Sequence, residues 1–336
     1  MVWLDNSRII AILSVVLLHA AAPFVMDYEV GTTYWWVGNF YDSMARWCVP
    51  VFVMISGSLL LDPKKAESIK DFYVKRMSKI IIPIVFWSLF FLFWAYLKGV
   101  VGGQRLSVSD LFERLISGRP YFHMWFLYMI ISLYLFAPFF RKIVASSSRV
   151  EIIIFVSITL PLAALNAIKC TVSPGGYSPF CYWFLSYVPF FFLGYLIRED
   201  KRDYPFMLLV LVFLASAALT ASGCYALAVR TDLKTGLYFY DYLSVTVIPM
   251  SVSVMYLLKR WSKPFINLKV TKKVSALTLG VYLIHPVFLE AFYFLGIGGG
   301  GFNPLWFVPV FAMLVSILSL LAAYIISKFV FLGRII

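Results

Sequence analysis

Charge is what this sequence has least of. Of its 336 residues only 13% are Asp, Glu, Lys or Arg, against 62% hydrophobic and 19% aromatic. No soluble fold of this length hides so much apolar surface, so soluble enzymes and cytosolic binding modules are excluded. The chain reads as an all-α polytopic membrane protein with the lipid bilayer as its first partner. Histidine is scarcer still, at 3, and cysteine stands at 4 with no C-x-x-C spacing, which gives no support to a metal site. No internal repeat is visible. The glycine run GIGGGG at 296–301 reads as a flexible connector and has none of the pattern of a phosphate loop. No connection is long enough to fold alone, so residues 1–336 are expected to form a single integral-membrane domain. No small-residue cleavage site follows the first apolar run, which is therefore expected to be retained as a span.

Apolar runs long enough for a bilayer core of about 30 Å fall at 9–26, 44–61, 80–98, 124–140, 150–168, 181–197, 205–223, 241–258, 275–295 and 305–327. About ten transmembrane helices are expected, with both termini on one side. The net charge of +13 would suggest nucleic acid in a soluble chain, but in a membrane protein it is read by position. On this topology 21 of the 29 Lys/Arg lie on the side of the termini. That bias puts both termini in the cytoplasm, makes nucleic acid an unneeded partner, and suits a bacterial inner membrane. The outer connections are then 27–43, 99–123, 169–180, 224–240 and 296–304. The first carries Asp27, Glu29 and Asp42 beside Tyr34, Trp35 and Trp36, with no Lys or Arg. Two readings stand for it: a surface on which sugar rings stack, or an interfacial aromatic belt. Cys170 and Cys181 flank another outer connection, either as a disulfide or, the favoured reading, as free thiols.

The stretch WLDNSRIIAILSVVLLHAAAPFVM, residues 3–26, organises the rest. In a helix, eleven residues bring His19 to within about 20° of the face that holds Arg8, about 16 Å along the axis. An ionisable group in lipid is costly without partners, so such residues face a cavity or a path. His123 and His285 are the other two histidines, at the mouth of the fourth span and inside the ninth, and imidazole is the side chain best suited to moving protons near neutral pH. Lys75, Arg76 and Lys79 form a basic entry to the third span, of the kind that holds phosphate groups or anchors a helix to the inner face. In RWCVPVFVMISGSLL, Arg46 lies at the edge of the second span, and Ser56-Gly57 is a small pair that permits close helix approach or walls a cavity for an acyl chain. A proton-coupled secondary transporter would also use intramembrane histidines, as a relay, but the inverted repeats common in transporters are not seen.

Taken in order, these segments resemble the integral-membrane acyltransferases of the type 3 family. Arg8 and His19 in LDxxRxIAxxxVxxxHAAxPF are similar to its first helix, VPVFVMISGSLLL to its second, and KRMSKIIIP to the basic entry of its third. HMWFLYMIISLYLFAP resembles the His-x-Trp helix, and LGVYLIHP the late Tyr-Leu-Ile-His segment. The resemblance covers roughly half of the chain. Lys79 stands where many members carry arginine, and no fused hydrolase-like domain is visible, which suggests a stand-alone transferase. The resemblance implies transfer of an acyl group, usually acetyl from acetyl-CoA, to a hydroxyl of a cell-surface polysaccharide or glycolipid, without a metal. His19 would act as general base or acyl carrier, with Arg8 and Asp5 beside it. Lys75, Arg76, Lys79, Arg8 and Ser56 would hold the donor, and Arg46, His123, Trp125 and His285 would line the acceptor side.

Overall fold

A computed structural model describes residues 1–65, 67–103, 106–172, 180–298 and 301–336, the side chains of 77, 78, 172, 180 and 181 excepted. Among the described residues fourteen α-helices run in the order α1 (Val2–Met26), α2 (Thr33–Ala45), α3 (Cys48–Leu60), α4 (Ile69–Val101), α5 (Val108–Ile116), α6 (Trp125–Ser146) and α7 (Arg149–Val172), then α8 (Phe180–Glu199), α9 (Phe206–Arg230), α10 (Leu233–Gly236), α11 (Val247–Lys259), α12 (Leu268–Ala276), α13 (Thr278–Phe294) and α14 (Pro304–Ile326). No strand occurs among the described residues. Local chemistry sets many of the starts. Ser68, Asn267 and Asn303 accept backbone N–H bonds as N-caps, and Ser107 with Asp110 closes a capping box.

Among the described residues, seven helical segments are long and apolar enough to cross a membrane, and α12 with α13, bent by 56°, makes an eighth. The other two expected spans are α8, of 20 residues, and α11, of 13. Alone, α11 reaches only about 20 Å, and its expected first residues, 241–246, form turns instead. The outer connections are also more ordered than expected. Residues 33–43, assigned to an outer connection, form with 44 and 45 the helix α2, which packs along α1 and α9. Together α2 and α3 make one broken span, Thr33–Leu60. Arg46 is therefore at the break in its interior, whereas the sequence put it at the edge of a span beginning at 44.

α1 is the central strut, packing on α2, α3, α11, α12, α13 and α14. α3 crosses α8 so tightly that a Cβ on Gly57 would sit 1.8 Å from the Phe191 carbonyl oxygen, and one on Gly194 would sit 2.0 Å from that of Met54. The Ser56-Gly57 pair thus serves close approach. Ser56 itself shares a 3.1 Å hydrogen bond with Tyr134 of α6. Both termini lie at one end of the bundle. Asp5 accepts from the Ser275 hydroxyl at 2.8 Å, and Ile336 packs against Gly280, on the helix that follows directly from Ser275.

Candidate functional site

The three histidines, 104 and 162 residues apart in sequence, meet in the structure. The rings of His19 (α1) and His285 (α13) stack at 5.3 Å between centroids, and His123, just before α6, meets His285 edge-on at 5.6 Å. A cavity of about 30 Å³ opens beside them, lined by His19, His123, Trp125, Cys48, Tyr242 and Tyr282 among others. That is room for a single water-sized group. His19 is half-buried, whereas His123 and His285 are almost wholly enclosed.

Hydrogen bonding assigns the tautomer of one ring. His285 Nδ1 lies 2.7 Å from the Tyr282 carbonyl and 3.2 Å from that of Val281. A carbonyl oxygen only accepts, so Nδ1 donates, and in the neutral ring Nε2 carries the lone pair. Among the described residues that Nε2 is buried without a partner, as are both ring nitrogens of His123. Buried polar atoms are normally satisfied, so the unpartnered nitrogens of His123 on the cavity wall, with that of His285 packed against the same ring, mark a place where a ligand or water completes the bonding. Tyr282 fixes a second part of the cluster: its hydroxyl donates to the His123 carbonyl.

Arg46 enters from the α2–α3 break. Its guanidinium pairs with Asp42 one turn earlier, donates to the Tyr240 carbonyl at 3.2 Å and lies 4.1 Å over the Tyr240 ring. It also lies 5.9 Å from the ring of Tyr242, which lines the cavity. Burial makes the Asp42 partner necessary, because a lone guanidinium here would cost several kcal/mol. Trp125 stacks on Tyr242 at 5.7 Å. The structure thus brings His19, His123, His285, Trp125 and Arg46 to one place. Tyr282, Tyr242 and Cys48 were not singled out in the sequence, and Asp42 was read there only as part of the outer aromatic stretch. Two had a readable signal: Asp42 is four residues before Arg46, and Tyr282 three before His285, on the same helix face in each case.

The basic residues divide into two groups. Asp5 and Arg8 form a 3.9 Å ion pair, which Ser275 steadies. Lys75 and Arg76 instead share Glu67 at 3.2 and 2.9 Å, and Arg141 approaches the same carboxylate at 4.0 Å. Lys79 is exposed. α4, which carries this basic entry, packs mainly on α5, α6 and the C-terminal 3₁₀ turn, Leu332–Ile335. Among the described residues no three His, Cys, Asp or Glu side chains form a metal-binding group. Cys48, Cys170 and Cys224 are free thiols, and the side chain of Cys181, on which the disulfide alternative depends, lies outside the described residues.

A family model described as Acyltransferase domain, that of the type 3 acyltransferases, matches residues 1–328. No curated protein and no solved structure matches the chain.

Proposed function

The chain belongs to the acyltransferase type 3 family and is a multi-pass membrane acyltransferase; from that premise we propose that it moves an acyl group, acetyl in the simplest case, from cytoplasmic acyl-CoA to a hydroxyl of a cell-surface polysaccharide or glycolipid. The observation that carries the reading is the meeting of His19, His123 and His285, with His19 and His123 on the wall of an interior cavity and Arg46 beside Tyr242 on the same wall. A CoA thioester is too polar to cross lipid, and a glycan is too large. Chemistry between them needs a proton-handling group inside the membrane, within reach of both faces.

In this reading the termini end faces the cytoplasm, and the CoA phosphates rest on Arg8, Lys75, Arg76 and Lys79, with Ser56 beside the path of the acyl arm. Phosphate must compete with Glu67 for Lys75 and Arg76. At the cavity, a His19 ring nitrogen takes the proton of the acceptor hydroxyl. The oxygen attacks the thioester carbonyl, the C–S bond breaks, and the proton passes to the departing thiolate. In the two-step form His19 itself attacks the thioester, the C–S bond breaks and the imidazole proton leaves with the CoA thiolate; the acceptor oxygen then attacks the acyl-imidazole, the N–C bond breaks and the hydroxyl proton returns to the ring. His123 and His285 present unpartnered nitrogens to the acceptor, and Arg46 supplies positive charge as the carbonyl oxygen becomes anionic. The cavity of about 30 Å³ must widen around Trp125 and Tyr242 to admit the thioester.

The test is purified protein in nanodiscs with radiolabelled acetyl-CoA and envelope glycan. His19→Ala should lose acyl transfer, by about a hundredfold or more in kcat, while it inserts and purifies as the wild type does. A His19→Ala protein that still transfers would end the proposal.

A further inference from the structure

A second cavity, of about 290 Å³, lies at the far end of α1 from the termini, lined by Pro23, Phe24, Asp27, Tyr28 and Gly298. We propose that it binds one pyranose ring of the acceptor glycan, at a unit distant from the hydroxyl that is acylated. This deepens the acyltransferase reading and rests on it for the identity of the glycan as acceptor.

The walls suit a sugar on three counts. First, Tyr28 lines the cavity half-buried, backed at 5.6 Å by the parallel ring of the buried Phe24, so it is Tyr28 that offers apolar contact to the C–H face of a pyranose. Second, Asp27 is exposed at the cavity, and a carboxylate accepts from two adjacent hydroxyls. The other acidic groups of this stretch are placed differently: Asp42 is engaged by Arg46, and Glu29 lies outside the lining. Third, Tyr293 stands directly behind Gly298 of the lining, so close that a Cβ there would meet its ring at 2.1 Å, and among the described residues its hydroxyl is buried without a partner. A sugar hydroxyl that reaches past Gly298 would find both a donor and an acceptor in it. A quaternary ammonium headgroup, the other ligand that an aromatic wall and a carboxylate attract, has no use for it. Asp27 follows His19 by eight residues on one helix, about 12 Å along the axis. A glycan seated here would lie along α1 toward the reacting imidazole, and its binding energy would be recruited at a distance from the chemistry.

The experiment is biolayer interferometry of the nanodisc-embedded wild type, Asp27→Asn, Tyr28→Leu and Glu29→Gln proteins against maltohexaose, chitohexaose and a mannohexaose, with phosphocholine as competitor. Support requires that at least one hexasaccharide binds the wild type and that Asp27→Asn and Tyr28→Leu each weaken it at least tenfold, Glu29→Gln leaving it within twofold. Because Asp27 is exposed, Asp27→Asn tests the site even where Tyr28→Leu does not fold. Binding of none of the three, equal loss in Glu29→Gln, or displacement of the glycan by phosphocholine would each overturn the subsite. Wild-type turnover of acetyl-CoA is measured in parallel. Turnover without Asp27-dependent binding removes the subsite alone, and binding without turnover removes the acyl-transfer reading alone.

Discussion

Asp42 and Asp5 are each paired with an arginine on the same helical stretch, yet they should behave oppositely on substitution. Asp42 is buried beside a guanidinium that has only 13% of its side-chain surface exposed, so Asp42→Ala would leave a charge uncompensated inside the bundle. About 3–5 kcal/mol of destabilisation is expected, read as a large drop in thermal midpoint or failure to purify. Arg8, at 34% exposure, sits 3.9 Å from Asp5 in a setting that water screens, so Asp5→Ala should cost about 1–2 kcal/mol, most of it from the buried Ser275 hydroxyl that loses its acceptor. Any larger effect of Asp5→Ala on acyl transfer than on the midpoint would then belong to the reaction. Tyr282→Phe is the corresponding probe of the histidine cluster. It removes the hydroxyl that holds the His123 carbonyl, for about 1 kcal/mol of stability. In the proposed mechanism kcat falls further than that loss explains, because His123 loses its fixed position. A kcat equal to wild type would show that His123 needs no such restraint.

At the scale of helices, the α3–α8 crossing and the α3–α4 connection make separate predictions. Gly57→Ala would drive a methyl into the main chain of α8, and neither backbone can yield without moving a whole helix. Overpacking of this kind costs ~3 kcal/mol. Loss of monodisperse protein is expected, whereas Ser56→Ala, which deletes only the bond to Tyr134, should purify normally. In the connection, burial raises the Glu67 carboxyl, but the Lys75 hydrogen bond and the Arg76 charge outweigh it and hold the group below its ordinary value of 4.5. Asp62 is likewise held low by the Arg198 hydrogen bond, against burial. Because both are depressed on folding, their contribution is complete above the usual carboxylate range and is lost as pH falls through the lowered values. The thermal midpoint should therefore not respond to these groups between about pH 8 and 5. Glu67→Gln should tighten acetyl-CoA binding about two- to fivefold, by freeing Lys75 and Arg76. Unchanged affinity would move the phosphate site away from α4.

For the whole molecule, what the sequence disclosed follows the range of the forces involved. Long apolar runs are local, so nearly all spans could be read, and three histidines in so apolar a chain could be singled out. α2 could not, because the Asn39 at its centre is satisfied by distant groups: it donates to the Ala221 carbonyl and accepts from the Tyr240 hydroxyl, 182 and 201 residues away. Without those partners Asn39, Asp42 and Ser43 look like a loop, and Arg46 looks like the edge of a span. The sidedness inferred from Lys/Arg positions can be tested on the same footing. Arg149 pairs with Asp200, Lys259 donates to the Ile197 carbonyl, and Asn6 donates to the carbonyls of Trp261 and Lys263. The start of α7 is therefore at the termini end, and 24 residues carry Cys170 across to the other. Cys48 and Cys224 are buried, so in a Cys181→Ser background an impermeant maleimide added outside intact cells should label Cys170 alone. Green fluorescent protein fused to the C-terminus should fluoresce, as it does in the cytoplasm. Labelling of Cys170 only after the cells are broken would invert the topology, and would place the donor cations on the side where no CoA exists.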